Sequence, residues 1–161
     1  MEIAIAAIGR LKAGPERELC ARYIERAAKV GRPLGFRGFA VHEIAESRAA
    51  RAAERAAQEE AALAAFVERG EGRIICLDEG GDSMGSDAFA GMLSRDAAGA
   101  APAVTFIVGG PDGLGHGILG RADHRISFGR MTWPHQLVRI LLAEQLYRAM
   151  TILSGHPYHR A

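Results

Sequence analysis

Short apolar runs alternate along this chain with longer stretches of helical periodicity. Glu2 to Ile8 is apolar and closed by Gly9, which predicts a buried first strand. After Gly14-Pro15, residues Leu19, Cys20, Tyr23, Ile24 and Ala27 recur at helical spacing within Glu16 to Lys29, with charges on the opposite face. Gly31 to Gly35 breaks that helix, and Phe39 to Ile44 reads as a second strand in which His42 is a partly buried or edge structural histidine. Ser47 is placed to cap a long alanine-rich helix running through Arg69 and stopped by Gly70 and Gly72. Its arginines 48, 51, 55 and 69 balance glutamates 54, 59, 60 and 68, as on a solvated surface of mixed-sign pairs. Arg73 to Asp78 is a third strand that ends in Glu79-Gly80-Gly81-Asp82, and Ser86 with Asp87 opens a third helix ending near Gly99.

The sharpest feature follows. Val104 to Val108 runs straight into Gly109-Gly110-Pro111-Asp112-Gly113, the way a buried strand ends at a ligand-facing turn in an open α/β sheet. Adjacent glycines allow close backbone approach and positive φ, while Pro111 stiffens the exit. Residues 114–122 have room only for a short helix or an irregular segment, and His124 to Phe128 is a fifth strand. Pro134 suits a first helical turn. From Gln136 to Leu153 apolar residues, Leu137, Ile140, Leu141 and Met150 among them, cover much of the circumference and predict a deeply buried helix. Against that background Arg139, Glu144, Gln145 and Arg148 stand out, Glu144 and Arg148 at ion-pair spacing.

The alternation of strand and helix, with no repeat and no linker, predicts one α/β domain over residues 1–161 with a largely parallel sheet. Leu77 and Asp78, at a strand end before glycines, are site candidates with the Gly109-Gly110 turn. No Gly-x-Gly-x-x-Gly follows the first strand and no Gly-Lys-Ser/Thr is present, so neither a dinucleotide fold nor a P-loop is supported.

Composition narrows the classes. A chain of 161 residues with 48% hydrophobic and 24% charged residues suits a folded globular protein. The formal charge of +1 confines any nucleic-acid contact to a local patch. Cys20 and Cys76 lie far apart in apolar surroundings, as buried reduced thiols in a cytoplasmic protein do. The first residues lack a basic leader pattern and are too few to span a bilayer, so no membrane association is expected. His156-Pro-Tyr-His159 has metal-like spacing, but Pro157 argues against a helical pair and no acid or thiol cluster accompanies it; no metal is expected. A hydrolase is disfavoured by the lack of a Gly-x-Ser-x-Gly elbow.

Six pieces taken together carry a resemblance: Leu77-Asp78 after a strand, Val108-Gly-Gly-Pro-Asp-Gly-Leu114, Met131-Thr-Trp-Pro-His135, Leu137-Val-Arg139, Ala143-Glu-Gln-Leu-Tyr-Arg148 and His156-Pro-Tyr-His-Arg160. The chain resembles the RlmH family, SPOUT-class methyltransferases acting on a pseudouridine of bacterial large-subunit ribosomal RNA. The likeness spans nearly the whole chain and is strongest from residue 104 onward. Two departures fall in the site region: Gly155 stands where the family often carries Asn, and Met131-Thr-Trp133 replaces a more aliphatic segment. The resemblance implies a SPOUT-type open, mostly parallel sheet with a C-terminal trefoil knot within residues 104–161, a rare exception to chain-threading rules. It implies S-adenosylmethionine held at Leu77, Gly109, Gly110 and the run Phe128, Gly129, Arg130, Met131, Thr132 and Trp133. It also implies a homodimer, with the RNA site built from two protomers.

Methyl transfer to N3 of a pseudouridine requires alignment and loss of the imide proton. On that reading His156 or His159 is the base or an orienting group, Arg139, Arg148 and Arg160 meet phosphates, and Tyr158 stacks on a flipped base. The alternative for the tail is simple docking. Near-zero net charge favours the assembled ribosome over naked 23S RNA as substrate. Two other classes stay open at this point. One is a non-catalytic ribosome-binding module; the other is a nucleotide- or flavin-binding α/β protein using similar strand-end glycines.

Overall fold

A computed structural model describes residues 1–99 and 101–159. The strands are β1 (Glu2–Ile8), β2 (Gly38–Ile44), β3 (Arg73–Ser83), β4 (Ala103–Val108) and β5 (His124–Ser127). The helices are α1 (Pro15–Gly31), α2 (Ala52–Val67), α3 (Ser86–Ala98), α4 (His116–Leu119) and α5 (His135–Leu153), with a 3-10 turn at Arg32–Leu34. All five strands pair in parallel, in the order β2-β1-β4-β3-β5.

Alternation along each strand divides the core. Ile3, Ile5 and Ala7 of β1, with Val104, Phe106 and Val108 of β4, face one layer, where α1, α3 and α5 supply Ala27, Leu93, Leu142 and Leu146. Ala6, Ile8, Cys76 and Ile107 face the other, against Leu63 of α2 and Ile118 of α4. Strands buried on both faces read as continuous apolar runs, which is why β1 and β4 were legible. His42 lies exposed on edge strand β2, its ring 4.8 Å from that of Phe66. Cys20 and Cys76 are both buried free thiols. No described helix is long and apolar enough to cross a membrane.

Three local expectations are corrected. Ser47 does not cap α2, which starts at Ala52. Its amide donates to Glu59 Oε1 at 2.9 Å and its hydroxyl to Gln58 Oε1 at 2.6 Å, so the segment before the helix is pinned alongside it. The glutamates of α2 are not uniformly solvated: Glu59 is 4% exposed, and Glu60 accepts the Ile118 amide at 3.0 Å, holding the start of α4. Finally, β3 continues past Asp78. After a register shift between Leu77 and Asp82 it pairs again with β5 at Ile126 and Ser127. Gly81 makes that possible, because a Cβ there would meet the backbone of Arg125 and Ile126 at 2.7 Å.

Candidate functional site

The middle of β3, where its register shifts, and the C-terminal ends of β4 and β5 open into a cleft of about 920 Å³. Open parallel sheets collect ligands at this end, where strand termini diverge into loops. Leu77, Asp78 and Glu79 form one side, the 108–114 turn another, and the 126–138 segment the third. Of the cofactor residues expected, Leu77, Gly109, Gly110, Phe128, Gly129, Met131, Thr132 and Trp133 line the cleft. Arg130 is exposed and is not part of the lining.

The Gly-rich turn is rigid for a reason the sequence did not show. Only Gly113 has a positive φ, 79°. Gly109 and Gly110 are there for close packing: a Cβ on Gly109 would lie 2.7 Å from the Gly113 carbonyl oxygen. One on Gly110 would lie 2.9 Å from Ile8 Cγ2 and 3.0 Å from Glu59 Oε2. The Gly113 amide closes the turn on the Gly110 carbonyl at 3.0 Å. From α2, Arg55 grips Asp112 with Nε to Oδ2 at 2.8 Å and Nη2 to Oδ1 at 3.2 Å. That bidentate hydrogen bond holds the Asp112 carboxyl below the ordinary carboxylate range.

Among the described residues lining the cleft are Asp78, Glu79 and Asp112, and no arginine or lysine. A phosphate-bearing cofactor would find no cation there. A cationic ligand presented with backbone amides and carbonyls fits.

α5 starts at the cleft wall, and Pro134, His135, Gln136 and Val138 all face it. These were missed as site residues, although they continue the Met131 to Trp133 segment directly. Burial, then the nearby Arg139 guanidinium, push the His135 ring below its ordinary pKa. It is therefore neutral near pH 7.

Arg139 is corrected. Expected as a phosphate contact, it is 0% exposed. Its Nη2 donates to the carbonyls of Ile8 at 3.1 Å and Gly9 at 3.0 Å, and its Nη1 to Glu43 Oε1 at 2.9 Å. A guanidinium so enclosed has no route to RNA.

The tail folds back on α5. Gly155 has φ 68° and the His156 amide bonds the Thr151 carbonyl at 2.9 Å, a left-handed helix end. Asn tolerates that conformation almost as glycine does, which accounts for the departure at this position. Tyr158 is corrected too. Its ring lies 4.6 Å from that of Tyr147, the Arg148 guanidinium carbon sits 5.0 Å from its centroid, and its hydroxyl donates to Glu144 Oε1 at 3.0 Å. Its stacking surface is occupied within the chain. Arg148 is paired with Glu144, and its Nη1 lies 3.4 Å from His159 Nδ1. On the far side of that ring, Asp87 Oδ2 is 3.5 Å from Nε2. His156 is exposed, and neither it nor His159 lines the cleft. Arg160 lies outside the described residues.

The site is thus a glycine-walled, anionic cleft in a parallel sheet, bounded by the C-terminal helix. The family model described as "Predicted SPOUT methyltransferase" matches residues 1–159, and the chain belongs to that family. Within it the chain is similar over its full length to proteins named ribosomal RNA large subunit methyltransferase H. The one from Rhodopseudomonas palustris (strain HaA2) is 53% identical over 161 residues, covering 100% of both chains. That of Bradyrhizobium sp. (strain BTAi1 / ATCC BAA-1182) is 51% identical with the same coverage. The RlmH resemblance read from the sequence is thereby borne out. Among solved structures, one described as a probable methylase family protein from Haemophilus influenzae Rd KW20 superposes with a TM-score of 0.53 at 11% identity. The match covers 99% of this chain and 70% of that one, and supports the fold alone.

Proposed function

We propose that this protein methylates N3 of a pseudouridine in 23S ribosomal RNA, with S-adenosylmethionine as donor and the assembled ribosome as substrate. The observation that carries the reading is the cleft itself: glycine-walled, carboxylate-lined and lacking any arginine or lysine among its described lining residues. That chemistry suits a neutral adenosine with a positively charged tail and does not suit a dinucleotide or flavin phosphate. The relatives' shared name supplies the ribosomal RNA substrate class. When bound, the donor supplies an activated methyl on sulfonium sulfur.

The residues of this chain then have distinct tasks. Leu77, Gly109, Gly110 and the 128–133 run hold the donor, with Phe128 and Leu77 giving it apolar walls. Phe128 is partly buried and packs on the core. The exposed His156 is the better placed of the two tail histidines to take the N3 proton, because His159 is held between Arg148 and Asp87. Since neither histidine lines the cleft of its own chain, the reading requires a homodimer in which a second copy brings its tail to the acceptor. Met131 at 73% and Trp133 at 41% exposure on the cleft lining, with Leu137 at 40% in the first turn of α5, are exposed apolar side chains that suit such a contact. The C-terminal trefoil knot belongs to the same proposal, as does a cytoplasmic location.

The decisive experiment is transfer of labelled methyl to ribosomes lacking this modification, with ribosomes also lacking the pseudouridine as control. Label entering only the pseudouridine-containing set is the expected outcome. Equal labelling of both would overturn the acceptor assignment, and no labelling of either would overturn the reaction.

A further inference from the structure

We infer that Asp78, Glu79 and the buried Glu59 act on the donor's sulfonium charge, raising the cleft's affinity for the charged donor relative to the neutral thioether product. The inference rests on the S-adenosylmethionine reading above.

Three carboxylates line the cleft, but they are not equivalent. Asp112 is matched by Arg55, its charge satisfied within the protein. Asp78 and Glu79 form no ion pair among the described residues, and no cation shares the lining with them. Beneath the Gly110 wall lies a further acid. Glu59 is 4% exposed; its Oε1 accepts the Ser47 amide, while Oε2 has no hydrogen-bond partner. That oxygen lies 3.0 Å from where a Cβ on Gly110 would sit, and Gly110 itself lines the cleft. An unpaired buried carboxylate oxygen is costly unless something positive comes near it. Arg55, four residues earlier on the same helix, acts on Glu59 electrostatically from within the protein, and a cation in the cleft adds to that compensation.

Methyl transfer changes the charge at that place. The deprotonated N3 lone pair forms the new N–C bond as the S–C bond breaks, and the bonding pair stays on sulfur. The N3 proton goes to the base. Sulfur thus passes from a cation to a neutral thioether while the rest of the ligand is unchanged. Cleft-lining carboxylates that form no ion pair favour the first state over the second and assist product exchange.

The test is calorimetric titration of the wild-type protein and of Asp78→Asn, Glu79→Gln and Glu59→Gln with S-adenosylmethionine and with S-adenosylhomocysteine. Each neutralised variant is expected to weaken the donor about 3- to 10-fold while leaving the homocysteine form within about twofold, whatever the wild-type ratio. Binding of S-adenosylhomocysteine, which lacks the methyl and with it the sulfonium charge, also serves as the folding control, and Glu79 is exposed, so its replacement leaves the core untouched. Equal weakening of both ligands, or no change in either, would overturn the inference. Wild-type protein binding neither ligand would overturn the donor assignment itself, a distinguishable result.

Discussion

Arg139 Nη1 lies 2.9 Å from Glu43 Oε1, joining the first turns of α5 to a strand 96 residues earlier. The remaining contacts of the guanidinium go to the main chain where β1 ends. The Glu43 oxygen also accepts the Leu11 amide at 2.7 Å, so one carboxylate and one guanidinium tie β1, β2 and α5 together next to His135 and the cleft wall.

Removing the arginine takes a donor from the Ile8 and Gly9 carbonyls and leaves the Glu43 carboxylate with the Leu11 amide alone. Arg139→Met is expected to cost about 3 kcal/mol of stability, read by urea denaturation, with Glu43→Gln costing less because its side chain is 32% exposed. A phosphate-binding arginine would behave differently. Its loss would leave stability intact and lower the salt dependence of ribosome binding.

Much of the scaffold was readable in advance, and the unreadable parts share a cause. Val104 to Val108 and Glu2 to Ile8 announce buried parallel strands because both faces are covered, and the late glycines announce the ligand end of the sheet. Arg139 and Glu59, by contrast, are single charges on helices. Nothing local distinguishes a charge facing solvent from one facing a carbonyl or a glycine contributed from far along the chain. The extension of β3 was hidden for a related reason: Gly80-Gly81 looks like a turn until β5 is seen pressing against it. Tyr158 looked like recognition chemistry because an aromatic beside two histidines carries no mark of what it packs on.

The clamp on the Gly-rich turn gives a further prediction. Asp112→Asn removes the bidentate partner of Arg55, loosening a turn whose conformation shapes the cleft. Donor affinity is expected to fall several-fold in calorimetry, with little change in the unfolding midpoint, since the pair lies at the surface. Because the folded Asp112 pKa is depressed, the pair's contribution is present above the ordinary carboxylate pKa and is lost as pH falls through the folded value. Donor affinity in the wild type should therefore hold down to about pH 4, and a loss beginning near neutrality would contradict the assignment.

Cys76 provides a pH prediction of opposite sign. Burial pushes its thiol up to about 12, with Asp78 adding to the effect. The unfolded chain releases this proton near the ordinary thiol pKa while the folded chain keeps it, so stability is fully present below that point and declines as pH rises toward 12. The decline in denaturation midpoint between about pH 9 and 11 should be shallower in Cys76→Val than in the wild type. Alkylation of the native protein at pH 8 should also be slow, since the thiolate is the reactive form and the group is 0% exposed.

The tail supplies the last prediction, because its anchoring and its chemistry can be separated. Tyr158 is held by Tyr147, Arg148 and Glu144, and it in turn fixes where His156 and His159 project. Tyr158→Phe loses the hydroxyl with its bond to Glu144 and keeps the packed ring, whereas Tyr158→Ala frees the segment. If the histidines act on the acceptor, Tyr158→Ala and His156→Ala should each lower the single-turnover methylation rate by about 10²-fold or more while leaving the Kd for S-adenosylmethionine unchanged. Tyr158→Phe should fall between these and the wild type. The split matters: a tail that merely covered the core would, when released, reduce the unfolding midpoint and donor affinity together. Rate loss confined to His156→Ala would assign the proton transfer to that ring, and a wild-type rate in both His156→Ala and His159→Ala would remove the base from the tail altogether.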